Sequence, residues 1–521
     1  MRQARTARSL PPSAEAMLAD LAAALGNDNL TRDPAVLARA ETATFATDRR
    51  ILAIARPADR SDVQACLRLA NRHRVPLYPV SRGRNWGYGS RVPTADGAVL
   101  LSLERLADIQ GYDERLGVVS VGPGVSFRQL RDFLRAQGSE LMLNAPGSTP
   151  EASIVGNTVE RGIVQGPRPD RAATVCGFEV VLPDGDCVST GMAALAESAV
   201  AQVQRWGLGP SLDGLFLQSN LGIVTRMTLW LQPLPACFRH LHFSFAEGAA
   251  FDAVVDALQA LRREGSVATS IGLHNADKIL TLSGRYPFEA SAGITPLPDG
   301  LRRGALAALG GGDWYGELAI QAATEPAVEG LRVRIDEAIG PLVEDLHWSG
   351  LNAPGPFFRP LSDGDETAGA ALRSSYWRKP APPPDDPDPD RDACGVIWHA
   401  AVVPFRASDL RRCVEIVERQ VAAGGFEPGL SLQALDPRCV YAVVSILYDR
   451  DVAGEDERAA ACYHALSDAL SRAGFPPYRL GLLGQSLPPA LDPETRALLH
   501  RLKRELDPNG ILAPGRYDFG A

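Results

Sequence analysis

Cysteine is sparse and never clustered. Eight occur in 521 residues, at positions 66, 176, 187, 237, 394, 413, 439 and 462, and no C-x-x-C pair is among them. That excludes a zinc knuckle and a thioredoxin-like dithiol. Scattered thiols of this kind fit buried groups in a reducing compartment. An excess of positive charge is also missing. The net charge is −9 and the pI near 5.5, so neither nucleic acid nor an anionic membrane is expected as a partner. No uncharged apolar run is long enough for a membrane-spanning helix. The N-terminal stretch MRQARTARSLPPSAEAMLADLAAAL is basic and lacks a continuous apolar segment before its prolines. It reads as a short tail followed by an amphipathic helix, not as a signal peptide. The expected location is the cytoplasm.

What is present belongs to a globular protein. The chain is 45% hydrophobic and 22% charged, and its length allows two or three domains with a sizeable core. Residues 13–45 read as helical. SDVQACLRLANRHR (61–74) is a helix capped by its serine, and VPLYPV (75–80) a strand. GAVLLSL (97–103) and LGVVSVGPG (116–124) are strands, SFRQLRDFLRAQG (126–138) a helix, and FEVVLPDGDCVSTG (178–191) a hairpin around Pro-Asp-Gly. GIVTRMTLWLQPLP (222–235) is a long strand that ends at prolines. This mixture indicates α+β or α/β. Beyond residue 236 longer helical patterns appear, at 250–263, 326–339, 407–423 and 455–474, with a strand at 441–449. RKPAPPPDDPDPDRDA (378–393) is rich in Pro and Asp, without periodicity, and reads as a mobile surface insertion that could fold over a ligand.

The loop SRGRNWGYGS (81–90), directly after a strand, has two readings. It can be an ordinary surface turn. It can also be an anion cradle, in which glycine lets the backbone approach a phosphate while N–H groups, Ser, Asn and Arg donate to its oxygens. The loop alone does not choose between them.

Five stretches in order carry a resemblance: PVSRGRNWGYGS (79–90), SIVGNTVERG (153–162), DGLFLQSNLGIVTRMTLWLQPLP (213–235), YRLGLLGQ (478–485) and LDPNGILAPGR (506–516). Together they resemble the vanillyl-alcohol oxidase and p-cresol methylhydroxylase flavoproteins, in particular the branch that oxidises 4-alkylphenols. The resemblance runs from about residue 45 to 521 and is thin over 240–470. It implies an α+β fold: an FAD-binding domain of two subdomains (45–235), a cap domain on an antiparallel sheet (236–470), and a C-terminal return (471–521), after a tail and helix (1–44). It also implies a homodimer or higher homo-oligomer.

Carried over residue by residue, Pro79, Val80, Ser81, Arg82, Gly83, Arg84, Asn85 and Trp86 match the loop that binds the FAD pyrophosphate, with Ser81, Gly83, Arg84 and Asn85 as its donors. Pro146, Gly147, Ser153, Gly156, Asn157 and Gly162 match positions around the flavin and the diphosphate. Gly222, Ile223 and Val224 match a stretch at the adenine end, and Arg516 a basic residue near the flavin. Tyr88, Tyr478 and Arg479 match the trio that anchors a phenolate. Two phenol donors and a guanidinium in an apolar pocket favour the charged form of a bound phenol. Phenolate then pushes electrons to the para carbon and eases hydride departure from the benzylic position to flavin N5. Oxygen, a cytochrome or a quinone would accept the electrons.

The sequence departs from the family around the flavin, in the cap and at the flavin-linkage positions. A carboxylate expected after Pro146 is Gly147, followed by Ser148, and Glu151 is the only acid nearby. The stretch QGPRPD (165–170) keeps only Pro167 and Asp170 of the family's pattern. In the cap, Tyr441-Ala442 replaces a tandem histidine, and Ser445 stands for an acid. At the two positions where relatives link the flavin covalently, this chain has Ser375 and Gly395, while His399 would face elsewhere. The expectation is non-covalent FAD, with Tyr376 or Cys394 as the fallback linkage sites. Three functions compete: oxidation of a para-substituted phenol, biosynthetic oxidation of a larger phenolic intermediate giving desaturation or cyclisation, and flavin binding without turnover. A nicotinamide-type Rossmann enzyme is disfavoured, because the 83–89 glycines do not follow G-x-G-x-x-G.

Overall fold

Three large β-sheets, with a two-stranded ribbon of Leu141–Met142 and Gln232–Pro233, organise the described residues. The computed structural model describes residues 12–144, 146–309, 312–353, 355 and 369–519. The basic tail over residues 1–11 lies outside the described residues.

In the first sheet the strands Ile51–Ala55 and Leu77–Val80 run parallel to the central strand Ala98–Ser102, and Leu30–Thr31 pairs at one edge. Every residue of Ala98–Ser102 is buried, as a central parallel strand covered on both faces requires. The helices Pro12–Leu25 and Arg60–His73 cover one face through Met17, Leu21, Val63, Leu67 and Ala70. The cap of the second helix is Asp59, whose side chain accepts from Asp62 N; the expected Ser61 cap lies inside the first turn. The 13–45 region is not one helix. It breaks after Leu25 and resumes at Pro34–Ala40, capped by Asp33.

The second sheet is antiparallel, in the order Ile109–Asp113, Val118–Val121, Ile223–Trp230, Val175–Val181, Cys187–Ser189. The helix Phe127–Ala136 packs on it. Ser126 and Gln129 close its first turn as a reciprocal capping box.

Seven antiparallel strands between Cys237 and Asp449 form the third sheet. The helices Ala249–Glu264, Glu325–Ile339, Ala407–Ala423 and Glu455–Arg472 bury their apolar stripes on one of its faces. Its other face turns toward the first two sheets. Thr44 and Gly87 tie it there: Thr44 Oγ1 donates to Val396 O at 2.7 Å, and Trp398 N donates to Gly87 O at 3.1 Å. The C-terminal segment returns to the first sheet, where Leu77 N donates to Ile511 O and Ala513 N to Leu77 O, both at 2.8 Å.

The segment 378–393 differs from its reading as a loose insertion. It lies along the 81–90 loop. Asp388 accepts from Arg84 Nη1 and Asp390 from Ser90 Oγ, each at 2.8 Å. Asp392 accepts from the Tyr376 hydroxyl at 2.5 Å. Its aspartates carry no apolar pattern, but they match the donors of a loop about 300 residues away in the chain.

Candidate active site

A cavity of about 750 Å3 opens between the three sheets. Every residue expected at the site lines it: Pro79, Val80, Ser81, Arg82, Gly83, Arg84, Asn85, Trp86, Tyr88, Pro146, Gly147, Ser153, Gly156, Asn157, Gly162, Gly222, Ile223, Val224, Tyr478, Arg479 and Arg516. The 81–90 loop reaches it because Gly87 adopts φ +76°, and a Cβ there would lie 1.8 Å from Trp398 Cδ1. Only glycine lets the indole close down on the loop. Ser153 caps the short helix Ile154–Val159 through Gly156 N at 2.9 Å and donates to Pro123 O at 2.7 Å. That holds Gly156 hard against Ser81, whose Oγ would be 3.2 Å from a Cβ.

Several side chains differ from their expected partners. Arg84 is engaged by Asp388. Arg82 donates to Glu151 Oε2 at 3.0 Å, to the Glu151 carbonyl at 2.7 Å and to the Gly124 carbonyl at 3.0 Å. Glu151 also receives Arg128. It therefore braces two arginines and does not stand in for the carboxylate absent at Gly147. Ser375 lines the cavity, whereas the Tyr376 hydroxyl is turned to Asp392. Cys394 is buried beside Tyr376, and burial pushes its thiol up to about 12. Gly395 packs against Tyr448. His399 is buried against Tyr463, their ring centres 5.7 Å apart, and burial pulls it down to about 4.

The trio converges on one wall. Arg479 is 9% exposed, and its guanidinium carbon lies 3.9 Å over the Tyr88 ring. Burial, then the neighbouring Tyr478, push the Tyr88 hydroxyl far above its ordinary value, so it stays a neutral donor. Arg479 Nη2 donates to Asn85 Oδ1 at 2.6 Å, which couples the trio to the 81–90 loop. Tyr478 stacks on Tyr441 at 4.8 Å.

Sequence reasoning missed the carboxylate behind this wall. Glu160 accepts from Arg516 Nη2 and from the Tyr517 hydroxyl at 3.1 Å, and lies 4.0 Å from Arg479 Nη2. Arg516 Nη1 also donates to Tyr78 at 2.8 Å. Burial works to raise the Glu160 carboxyl, but Arg516 and Arg479 outweigh it and hold it below its ordinary value. The residue sits inside SIVGNTVERG, yet nothing in that string says that two arginines from the C-terminal segment will meet it. The polar residues of the cap floor were missed as well. His274 Nδ1 faces Ser431 Oγ at 2.8 Å and its Nε2 faces Glu317 at 3.4 Å, while Gln165 donates to Glu317 at 3.3 Å. Lys278 lines the same floor. His274, Lys278, Glu317 and Ser431 lie within 240–470, where the resemblance is thin, and Gln165 opens the QGPRPD stretch.

The donor set fits a dinucleotide with a ring system that offers polar edges. A glycine-rich loop follows a strand, and Asn157 Oδ1 is buried with no hydrogen-bond partner among the described residues, poised to accept from a bound group.

Fold and site together define an FAD-linked oxidoreductase. Residues 51–191 match the FAD binding domain family, and residues 407–517 match the C-terminal domain of FAD linked oxidases. The chain is 44% identical to 1'-carboxy-chondrochloren decarboxylase of Chondromyces crocatus, over 97% of both chains. It is 30% identical to the flavoprotein subunit of 4-cresol dehydrogenase [hydroxylating] of Pseudomonas putida, over 87% of this chain and 85% of that one. The crystal structure of p-cresol methylhydroxylase with substrate bound superposes with a TM-score of 0.87 at 26% identity, covering 98% of each chain. A 4-ethylphenol oxidase from Gulosibacter chungangensis shares the fold, with a TM-score of 0.84 over 98% of this chain and 99% of that one, at 24% identity. The chain belongs to the p-cresol methylhydroxylase and vanillyl-alcohol oxidase family and is an FAD-dependent enzyme. Its α+β fold, with a two-part FAD-binding unit and an antiparallel cap sheet, is the one the sequence led us to expect.

Proposed function

We propose that this enzyme oxidises a para-substituted phenol at its benzylic carbon. The observation that carries this reading is the meeting of Tyr88, Tyr478 and Arg479 on one cavity wall, with the Arg479 guanidinium 3.9 Å from the Tyr88 ring. FAD, when bound, supplies the hydride acceptor at N5. Ser81, Gly83, Asn85, Ser153, Gly156, Asn157 and Gly162 would hold it, with Gly222, Ile223 and Val224 at the adenine end; with Tyr376 turned away, we propose that attachment is non-covalent. Arg479 stays charged at any working pH, and the two tyrosines donate to the phenol oxygen. All three favour the phenolate, which drives the electron pair from the benzylic carbon and leaves a quinone methide in the cavity.

The fate of the quinone methide is decided by the residues that changed. Gly147, Tyr441 and Ser445 cannot deliver water as a carboxylate or histidine would. The quinone methide then collapses by losing a group from the next carbon. The 44% identical relative, named a decarboxylase, favours a carboxylate there. The bond to the carboxylate breaks, its electron pair forms the new carbon–carbon double bond, and the ring regains its phenolate. One hydride and one carbon dioxide leave the substrate.

The test is an anaerobic titration of the holoenzyme with 4-ethylphenol and with its methyl ether, which cannot ionise. The phenol should bleach the flavin absorbance and the ether should not. Arg479→Met should cost about 2–5 kcal/mol in kcat/KM, the scale for stripping one partner from a buried charged pair. Equal bleaching by the ether, or none by any phenol, would overturn the reading.

A further inference from the structure

The chain contains three lysines, at positions 278, 379 and 503. Lys379 pairs with Asp449 at 2.7 Å and Asp451 at 2.6 Å, and Lys503 with Asp507 at 2.7 Å. Among the described residues Lys278 has no such partner. It sits on the helix Ala276–Ser283, is 6% exposed and lines the cavity. Among the described residues its Nζ reaches only Ser445 Oγ, at 3.5 Å, and the face of Trp398, 4.8 Å from the ring centre. Among the described residues no carboxylate lies within ion-pair distance of it.

The other charges around the cavity are answered. Glu160 serves Arg479 and Arg516, Glu151 holds Arg82, and Asp388 holds Arg84. Glu317 is met by His274 and Gln165. Burying an ammonium away from water without a countercharge is unfavourable. Burial shows this by pulling Lys278 down to about 8, a value that still leaves it mostly protonated at neutral pH. Its position is also specific. Trp398 packs on Gly87, next to Tyr88. The ammonium therefore lies one indole away from the wall that carries the phenol anchor.

We propose that Lys278 is the specificity residue for an anionic side chain, its ammonium receiving a carboxylate carried on the para substituent of the substrate. The substrate class is then a phenol with an acidic tail, bound at both ends, by Arg479 at the ring oxygen and by Lys278 at the carboxylate. This rests on the phenol-oxidation reading. A carboxylate paired with Lys278 supplies the missing countercharge. Trp398 shields the pair from water.

The experiment compares 3-(4-hydroxyphenyl)propanoate with 3-(4-hydroxyphenyl)propanamide, which differ only in charge. Their apparent Kd values are read under anaerobic conditions from the concentration dependence of the change in flavin absorbance of the holoenzyme, whether perturbation or bleaching. Wild type should prefer the acid. Lys278→Met and Lys278→Gln should weaken the acid by about 10- to 100-fold, the worth of one charge-assisted hydrogen bond, and leave the amide within about twofold. Lys278→Arg should keep the preference. Equal weakening of both ligands in Lys278→Met and Lys278→Gln, or no preference in wild type, overturns the proposal. The two readings separate cleanly. If 4-ethylphenol bleaches the flavin but no Lys278-dependent preference exists, phenol oxidation stands and this inference falls. If the preference exists but no phenol bleaches the flavin, the carboxylate site stands and phenol oxidation falls.

Discussion

Glu160 is the residue on which the Arg479 wall of the cavity leans. It answers two buried guanidiniums at once, and neither Arg479 nor Arg516 has another carboxylate within reach among the described residues. Glu160→Gln should therefore destabilise the fold by about 3–5 kcal/mol, since it leaves buried cations uncompensated. Urea denaturation of the holoenzyme measures this. The pH dependence has a definite sign. The carboxyl is held below its ordinary 4.5 in the folded protein, so its contribution is present above that pH and is lost as pH falls through the lower folded value. Wild type should lose melting temperature below about pH 4.5 more steeply than Glu160→Gln. Parallel acid slopes would show that Glu160 carries no linked proton. None of this was legible in SIVGNTVERG. The glycines and Asn157 of that string have a local meaning, but a glutamate acquires its role from partners that the chain brings in 319 and 356 residues later.

The strap over residues 378–393 shows the same limit at the scale of an element. Its Pro and Asp content is correctly read as unable to build a core. It does not float free, because charge and hydrogen bonding pin it where hydrophobic burial does not. Asp390 is the sensitive point. Burial first, then the nearby Asp388, push its carboxyl up to about 7, against the opposing pull of Ser90, Arg91 and Trp86. A raised carboxyl favours the folded strap in its protonated form, so that contribution fades as pH rises through about 7. Tryptic cleavage after Arg391 should therefore quicken between about pH 6 and pH 8, over and above the protease's own pH profile measured on a peptide of the same sequence. Asp390→Asn should remove the extra dependence. A strap equally resistant at both pH values would contradict this account. Helices with a plain 3.6-residue stripe, such as Ala407–Ala423, are legible in the sequence to within a residue or two. The break after Leu25 is not, because Gly26 at φ +85° and the Asp33 cap act locally within a run that still looks helical.

For the molecule as a whole, the expected state of FAD is non-covalent. Ser375 has no chemistry for a flavin bond, Gly395 has no side chain, and the Tyr376 hydroxyl is held by Asp392. Acid precipitation should release yellow flavin into the supernatant. Flavin that stays in the pellet and maps to a peptide containing Tyr376 or Cys394 would contradict this. Water use is a property of the closed cavity. Turnover in ¹⁸O-labelled water should leave the main product unlabelled. A label at the benzylic carbon would show that water attack is intact and that the changes at Gly147, Tyr441 and Ser445 do not decide the outcome.

The sequence by itself determined the family and the cofactor, and it singled out Tyr88, Tyr478 and Arg479 as candidates for the trio we propose to anchor a phenol. Those signals are local strings whose glycines, serines and aromatics must keep a fixed spacing to shape a loop. Only the tertiary structure decided which charges meet. Glu160 could be seen between two arginines, Asp388 against Arg84, and Lys278 against the face of Trp398, once three sheets had closed on one another. Spacing along a chain encodes turns and stripes, whereas the balance of buried charge is a sum over groups that share a volume and not a stretch of sequence.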